Sequence, residues 1–217
     1  MKLIVWDFDG TLADTRPLIV DGMESTLRAL NKDEALLEKW LTCVGLPVEE
    51  GLRLTFGTND EMEMDTILKI YRSYNWTGNS HLIRPFPGMK ELVAELDSIG
   101  IKQAIATSKR YKALAPQLAD FGWTNTFHPI VTPDRVTQPK PHPESLEICL
   151  NSHNLQPQDA LMIGDTLYDL YMAKSANVPS IGVSYGFATK EQLLEAGPIA
   201  IAGDVEELRK ILLQHSN

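Results

Sequence analysis

The chain has 217 residues, enough for one large domain or for a core domain carrying an insert. Its formal net charge is -9 and no Lys/Arg-rich run occurs, which excludes an electrostatic binder of nucleic acid, because nothing would offset phosphate charge. Apolar residues make up 43% and charged residues 23%, as in an ordinary soluble globular protein, and no stretch approaches a membrane span. The N-terminal apolar run is too short for the core of a signal peptide, and two aspartates follow it at once. Cys43 and Cys149 are far apart and match no metal spacing, so reduced, buried thiols and a cytoplasmic location are expected. The five histidines are scattered without paired metal spacing.

In chain order, Leu3-Ile4-Val5-Trp6 has the pattern of a buried parallel strand. Asp7-Phe8-Asp9-Gly10-Thr11 follows it. Residues two apart in a strand point to one face, so Asp7 and Asp9 leave the strand end together until Gly10 breaks the geometry. Two carboxylates so close repel and call for a cation, a shared proton or both. Taken alone, the stretch also suits a polar turn. Residues 14–82 then read as almost all helix. Ile19, Gly22, Met23, Thr26, Leu27 and Leu30 mark one helical face. Asp33 to Leu41 predicts a short second helix, broken at Gly45-Leu46-Pro47, with Pro47 at the next helix start. Gly57 is expected to stop that helix and Asn59 to cap another, whose apolar side is Met62, Ile67, Leu68 and Tyr71.

Arg84-Pro85-Phe86-Pro87-Gly88 predicts a stiff turn and a domain hinge. Met89, Leu92, Val93, Leu96 and Ile99 then form an amphipathic helix ended by Gly100. Strand-like Lys102–Ala106 closes on Thr107-Ser108-Lys109, and Pro116 is expected to delay or kink the helix that follows. Phe127 to Val131 reads as a short strand, and Pro143 opens a helix carrying Leu146 and Leu150. Ala160-Leu161-Met162-Ile163 is another buried strand, ending on Gly164-Asp165; a helix and the strand Ser180–Val183 follow. Thr189 with Gln192, and Asp204 with Glu207, resemble capping boxes.

Strands alternating with helices predict an α/β fold with a doubly wound, Rossmann-like parallel sheet. The helical stretch interrupts that alternation after the first strand. The expected division is a core of residues 1–13 and 84–217 with an all-α cap of residues 14–83. In an open parallel sheet, ligands bind beyond the C-terminal strand ends. Asp7 and Asp9, Thr107 and Ser108, and Asp165 should therefore converge. Asp165 with the N-terminal pair gives an oxygen-rich set that suits Mg2+ better than Zn2+. Asp169, one helical turn after Asp165, can face the same site. By themselves Asp165 also suits a helix N-cap and Asp169 a first-turn charge. Lys140, between Pro139 and Pro141, stands on a stiffened backbone; it is either a surface lysine or the positive side chain that a phosphate site needs. Thr107 and Ser108 offer hydroxyls and backbone N–H groups suited to phosphate oxygens, or simple helix capping.

Asp7-Phe8-Asp9-Gly10-Thr11-Leu12, Thr107-Ser108, Lys140-Pro141 and Gly164-Asp165-Thr166 with Asp169, in that order, resemble the four motifs of the haloacid dehalogenase (HAD) superfamily. The likeness is to its phosphoglycolate phosphatase-like branch, with a helical cap after the first motif, and it covers nearly the whole chain. The resemblance implies that Asp7 is a nucleophile forming a phosphoaspartyl enzyme, and that Asp9 is the general acid and then the base for water. It implies Mg2+ on Asp7, on the backbone carbonyl of Asp9 and on Asp165, with Gly10 and Thr11 completing the first motif in support. Thr107 or Ser108 would bind the transferring phosphoryl group, Lys140 would neutralise nucleophile and phosphate, and Asp169 would orient metal waters or the lysine. Dehalogenases of the superfamily lack the second aspartate, so Asp9 speaks against their chemistry. Sugar-phosphate mutases of the same cap type carry a histidine that the region Arg16 to Met23 lacks. A receiver-like, phospho-accepting domain and a non-catalytic member of the fold are further alternatives. The expected substrate is a small phosphorylated metabolite. Gly45-Leu46-Pro47 resembles the cap loop that reaches toward substrate, and Arg53 is a candidate for a second anionic group or else a solvated helix face.

Overall fold

The structure, a computed structural model, describes residues 1–74, 76 and 78–214. The opening apolar run forms strand β1 (Leu3–Trp6), with all four side chains buried. A two-residue strand β2 (Ala13–Asp14) leads into four helices, α1 (Arg16–Leu30), α2 (Leu36–Thr42), α3 (Val48–Phe56) and α4 (Glu61–Ser73). The chain returns through β3 (Arg84–Pro85), antiparallel to β2. Strands and helices then alternate as α5 (Met89–Ser98), β4 (Lys102–Ala106), α6 (Tyr111–Phe121), β5 (Ile130–Val131), α7 (Glu144–His153) and β6 (Ala160–Gly164). They end with α8 (Leu167–Ser175), β7 (Ser180–Val183), α9 (Lys190–Glu195), β8 (Ala200–Ala202) and α10 (Val205–Gln214).

Six strands form one sheet in the order β5-β4-β1-β6-β7-β8, and every pairing is parallel. This is the α/β architecture that the alternation predicts. Because side chains alternate along a strand, the sheet has two apolar faces. Ile4, Trp6, Ile105 and Ile163 pack on one face against Leu92, Leu96, Leu114 and Leu208 of α5, α6 and α10. Leu3, Val5 and Met162 pack on the other against Leu146, Leu150 and Met172 of α7 and α8. Trp6 opposes both Ile105 and Ile163, so the residues that follow β1, β4 and β6 emerge side by side.

The four helices between β2 and β3 share an apolar cluster of their own, built on Met23, Leu27, Trp40, Leu52, Ile67 and Tyr71. Tyr168 and Phe187, from beyond the sheet's C-terminal edge, pack against it. Both cysteines are free and buried. Burial, only partly offset by Lys140, pushes the Cys149 thiol up to about 12, so it stays protonated and unreactive. Among the described residues no helix is long and apolar enough to cross a membrane.

Several local expectations need correction. The second helix starts at Leu36 rather than Asp33. Asp60, not Asn59, caps α4, accepting from the N–H groups of Met62 and Glu63; its carboxylate is the stronger acceptor at a helix N-terminus. Pro116 does not delay its helix, which runs from Tyr111 to Phe121 with the proline inside it. The missing N–H leaves the Lys112 carbonyl without its intrahelical donor, and Lys112 is exposed, so water can take that place. The expected strand is shorter at its start: β5 holds Ile130 and Val131, His128 and Pro129 still exchange backbone hydrogen bonds with Gln103 and Ile105 of β4, and Phe127 packs edge-on against Trp123. The last three residues of the expected core lie outside the described residues.

Ile163 is fully buried two residues before Asp165. Ile163→Ala should lower stability by about 2–5 kcal/mol through lost burial and a residual cavity. Urea unfolding checks this as a lower midpoint at unchanged slope.

Candidate active site

The parallel register delivers Asp7 and Asp9 after β1, Thr107 and Ser108 after β4, and Asp165 after β6 to one edge of the sheet. The turn after Asp9 depends on glycine. Gly10 sits at φ +85°, and a Cβ there would lie 2.2 Å from Asp165 Oδ2. Buried Thr11 donates to Asp165 Oδ1 at 3.0 Å, and the Phe187 N–H donates to Oδ2 at 2.7 Å. Both oxygens of Asp165 are thereby aimed from two loops.

Lys140 lies in the proline-bound loop before α7 and is 3% exposed. Its ammonium donates to Asp7 Oδ1 and to Asp169 Oδ1, each at 2.6 Å. Asp169, on the first turn of α8, uses its other oxygen in a capping box, accepting from the Thr166 N–H at 3.1 Å and hydroxyl at 2.7 Å. The helix start therefore fixes the carboxylate that fixes the lysine.

Burial raises the Asp7 carboxyl, and although Lys140 pulls it down, Asp169 and Asp9 push it further, to about 7. Burial, then Asp7 and Asp169, hold Asp165 well above the usual carboxylate range against its two hydrogen bonds. Burial disfavours the Lys140 charge, but Asp169 and Asp7 outweigh it and hold the ammonium well above the usual lysine range. Asp7, Asp165 and Asp169 can each bring an oxygen within 4.8 Å of the others. Three buried carboxylates against one ammonium leave a deficit of two positive charges. Hard oxygen donors with that deficit fit a divalent cation such as Mg2+, which would favour the charged forms of Asp7 and Asp165.

The Asp9 carboxylate stands apart from this cluster. Lys109 Nζ donates to its Oδ1 at 2.7 Å, and both side chains are largely buried. Sequence reasoning named Lys109 only as part of a strand-end triplet; its place beside two hydroxyls at a C-terminal strand end was the available signal. The Thr107 N–H is taken by the Val131 carbonyl, so this residue offers its hydroxyl alone. The Ser108 hydroxyl donates to the Gly45 carbonyl at 2.5 Å, tying the loop between α2 and α3 to the sheet edge. Gly45 sits at φ +103°, and a Cβ would come within 2.8 Å of Thr166 Oγ1. Tyr71 of α4 is buried, and burial, with a smaller push from Asp9, raises its phenol well above the usual range. Arg53 is not brought to the carboxylates: it pairs with Glu61 at 2.8 Å on the surface of the helical block.

The sequence profile of the family described as haloacid dehalogenase-like hydrolase matches residues 4–183, which include the whole carboxylate cluster and Lys140. This chain is a haloacid dehalogenase-like hydrolase. Pyrophosphatase PpaX of Oceanobacillus iheyensis is 28% identical to this HAD-like hydrolase, over 98% of this chain and 97% of the relative. The phosphoglycolate phosphatase of Vibrio vulnificus is 27% identical over 98% and 96%. The solved structure of a predicted phosphatase from Clostridium acetobutylicum matches with a TM-score of 0.86 at 29% identity, covering 98% of each chain.

Asp7 and Asp165 each bind a proton more tightly in the folded protein than in the unfolded chain. Stability of the metal-free hydrolase should therefore fall as pH rises from the unfolded value of 3.8 to about 7. Urea midpoints in EDTA should drop between about pH 5 and about pH 7.5, and a rising midpoint would contradict the burial and charge crowding described above. Millimolar MgCl2 should raise the melting temperature by several degrees at neutral pH. Asp165→Asn should remove most of that shift; an undiminished shift in calorimetry would place the ion elsewhere.

Proposed function

We propose that this hydrolase is a Mg2+-dependent phosphatase that cleaves a small phosphomonoester through a phosphoaspartyl intermediate on Asp7. The observation that carries the reading is the Lys140 ammonium, 2.6 Å from both Asp7 and Asp169 within a buried acidic cluster. A carboxylate and a phosphate dianion repel, so a site that joins them needs positive charge between them. Asp7, Asp165 and the backbone carbonyl of Asp9 would hold Mg2+, whose chemistry is to neutralise phosphoryl oxygens as a Lewis acid. The named activities of the two curated relatives support the same reaction type.

Lys140 grips Asp7 Oδ1, and no described residue bonds Oδ2. Oδ2 attacks phosphorus in line, and the bond to the leaving oxygen breaks as Asp9 hands that oxygen a proton. Asp9 then takes a proton from water, which attacks the phosphoaspartate and releases phosphate with Asp7 restored. The Thr107 hydroxyl and the Ser108 N–H hold the phosphoryl oxygens during both displacements. The helical block, seated on Ser108 through Gly45, acts as a cap that excludes water and limits substrate size.

Turnover of p-nitrophenyl phosphate should require Mg2+, and Asp7→Asn should lower it by about 1000-fold or more. Hydrolysis that survives either change would sink the proposal. A panel of phosphorylated metabolites, beginning with pyrophosphate and phosphoglycolate, would then rank substrates.

A further inference from the structure

We infer that Lys109 recognises a second anionic group on the leaving-group side of the substrate, so that this chain is built for phosphate compounds whose leaving group carries a carboxylate or another phosphate. The inference rests on the phosphatase reading for the place of the leaving group, and it names a residue and a substrate class that the reading leaves open.

The cations around the site are few and mostly committed. Lys140 is shared between two buried carboxylates and is 2% exposed at its side chain. Arg53 is bound to Glu61, Arg110 lies 3.6 Å from Glu49, and Arg16 donates to the Gly186 carbonyl while stacking on Phe187. Lys109 differs from all of these. Its side chain is 13% exposed, and its ammonium makes one hydrogen bond, to Asp9 Oδ1 at 2.7 Å. An ammonium has three N–H donors, so two remain for a ligand.

The position of those donors is restricted. The Lys109 N–H donates to Thr107 Oγ1 at 3.2 Å, which holds the backbone at the strand end. The ammonium also lies 5.6 Å from the centre of the Phe8 ring, which is fully buried between Asp7 and Asp9 in sequence. In an in-line displacement by Asp7, the leaving oxygen points away from the attacking oxygen and toward Asp9. A group bonded one or two atoms beyond that oxygen therefore lies next to Asp9, where Lys109 stands. The transferring phosphoryl group is on the opposite side, within reach of Lys140 and Thr107. Lys109 thus serves the part of the substrate that departs.

Charge makes the same point. A bound divalent cation with Lys140 balances Asp7, Asp165 and Asp169, which leaves Lys109 opposite Asp9 alone. A substrate with a second anion adds charge where Lys109 is the cation with spare donors. A leaving group without charge offers Lys109 nothing stronger than the contact with Asp9 it already has.

The test compares kcat/KM for phosphoglycolate, and separately for pyrophosphate, with kcat/KM for 2-hydroxyethyl phosphate, whose leaving group is uncharged. Lys109→Met should lower at least one of the two ratios about 30-fold, because a site built to bond a charged group loses its preference when the donor goes. A fall with phosphoglycolate identifies a carboxylate, and a fall with pyrophosphate a second phosphate. Ratios that both stay within about threefold overturn the inference, whatever the absolute rates do. Binding of the same three compounds to Asp7→Asn protein with Mg2+, followed by calorimetry, tests it without turnover. At least one anionic compound should bind about tenfold more tightly than 2-hydroxyethyl phosphate. Equal binding overturns the inference. Absence of turnover on every ester overturns the phosphatase reading instead, and the binding comparison still decides the role of Lys109.

Discussion

The Lys140 ammonium between Asp7 and Asp169 is the contact on which the rest of this site depends. Three carboxylates taken out of water within 4.8 Å of one another repel strongly. Breaking a buried ion pair by removing one partner typically costs about 3–5 kcal/mol, because the remaining charge is left without compensation. The surrounding structure is arranged to keep Lys140 in place. Asp169 is locked by the first turn of α8, and Asp165 is held by Thr11 and by the Phe187 backbone. The loop carrying Lys140 is stiffened by prolines on both sides. The sheet's task is to bring these separate segments to one edge with their oxygens converging.

Much of this was legible in sequence because each piece announces itself locally. Asp7 and Asp9 follow an apolar strand, Asp165 ends another, and Asp169 lies a helical turn beyond. A parallel sheet then makes their meeting a matter of topology. What sequence could not supply was pairing between distant side chains. The contact of Lys109 with Asp9 spans exactly the kind of separation, 100 residues, that periodicity does not encode. Arg53 shows the reverse: a cation in a suggestive stretch whose partner, Glu61, lies only 8 residues on. The cap of α4 turned on the choice between adjacent Asn59 and Asp60, which propensity barely separates. Pro116 did not delay its helix, because the cost of a proline depends on whether the carbonyl it frees meets water.

The two lysines divide the site's work. Lys140 is sealed between carboxylates, so its charge is part of the fold and is present whatever binds. Lys109 has one partner and a less enclosed ammonium, so its charge is available to a ligand. The glycines sharpen this division further, since Gly10 lets the backbone pass close to Asp165, where any side chain would collide with the carboxylate.

The short ribbon of β2 and β3 carries a consequence for how such a chain can change. Ala13 pairs with Pro85 and Asp14 with Arg84, so the points where the chain leaves the sheet and returns to it are neighbours. The sheet is complete without anything between them, because no strand of it comes from the helical block. A loop whose ends already touch adds closure entropy only slowly as it lengthens. The segment between them can therefore be shortened, extended or exchanged while the carboxylates, Lys140 and Lys109 keep their places, so the length of the insert and the geometry of the charged centre are free to vary independently.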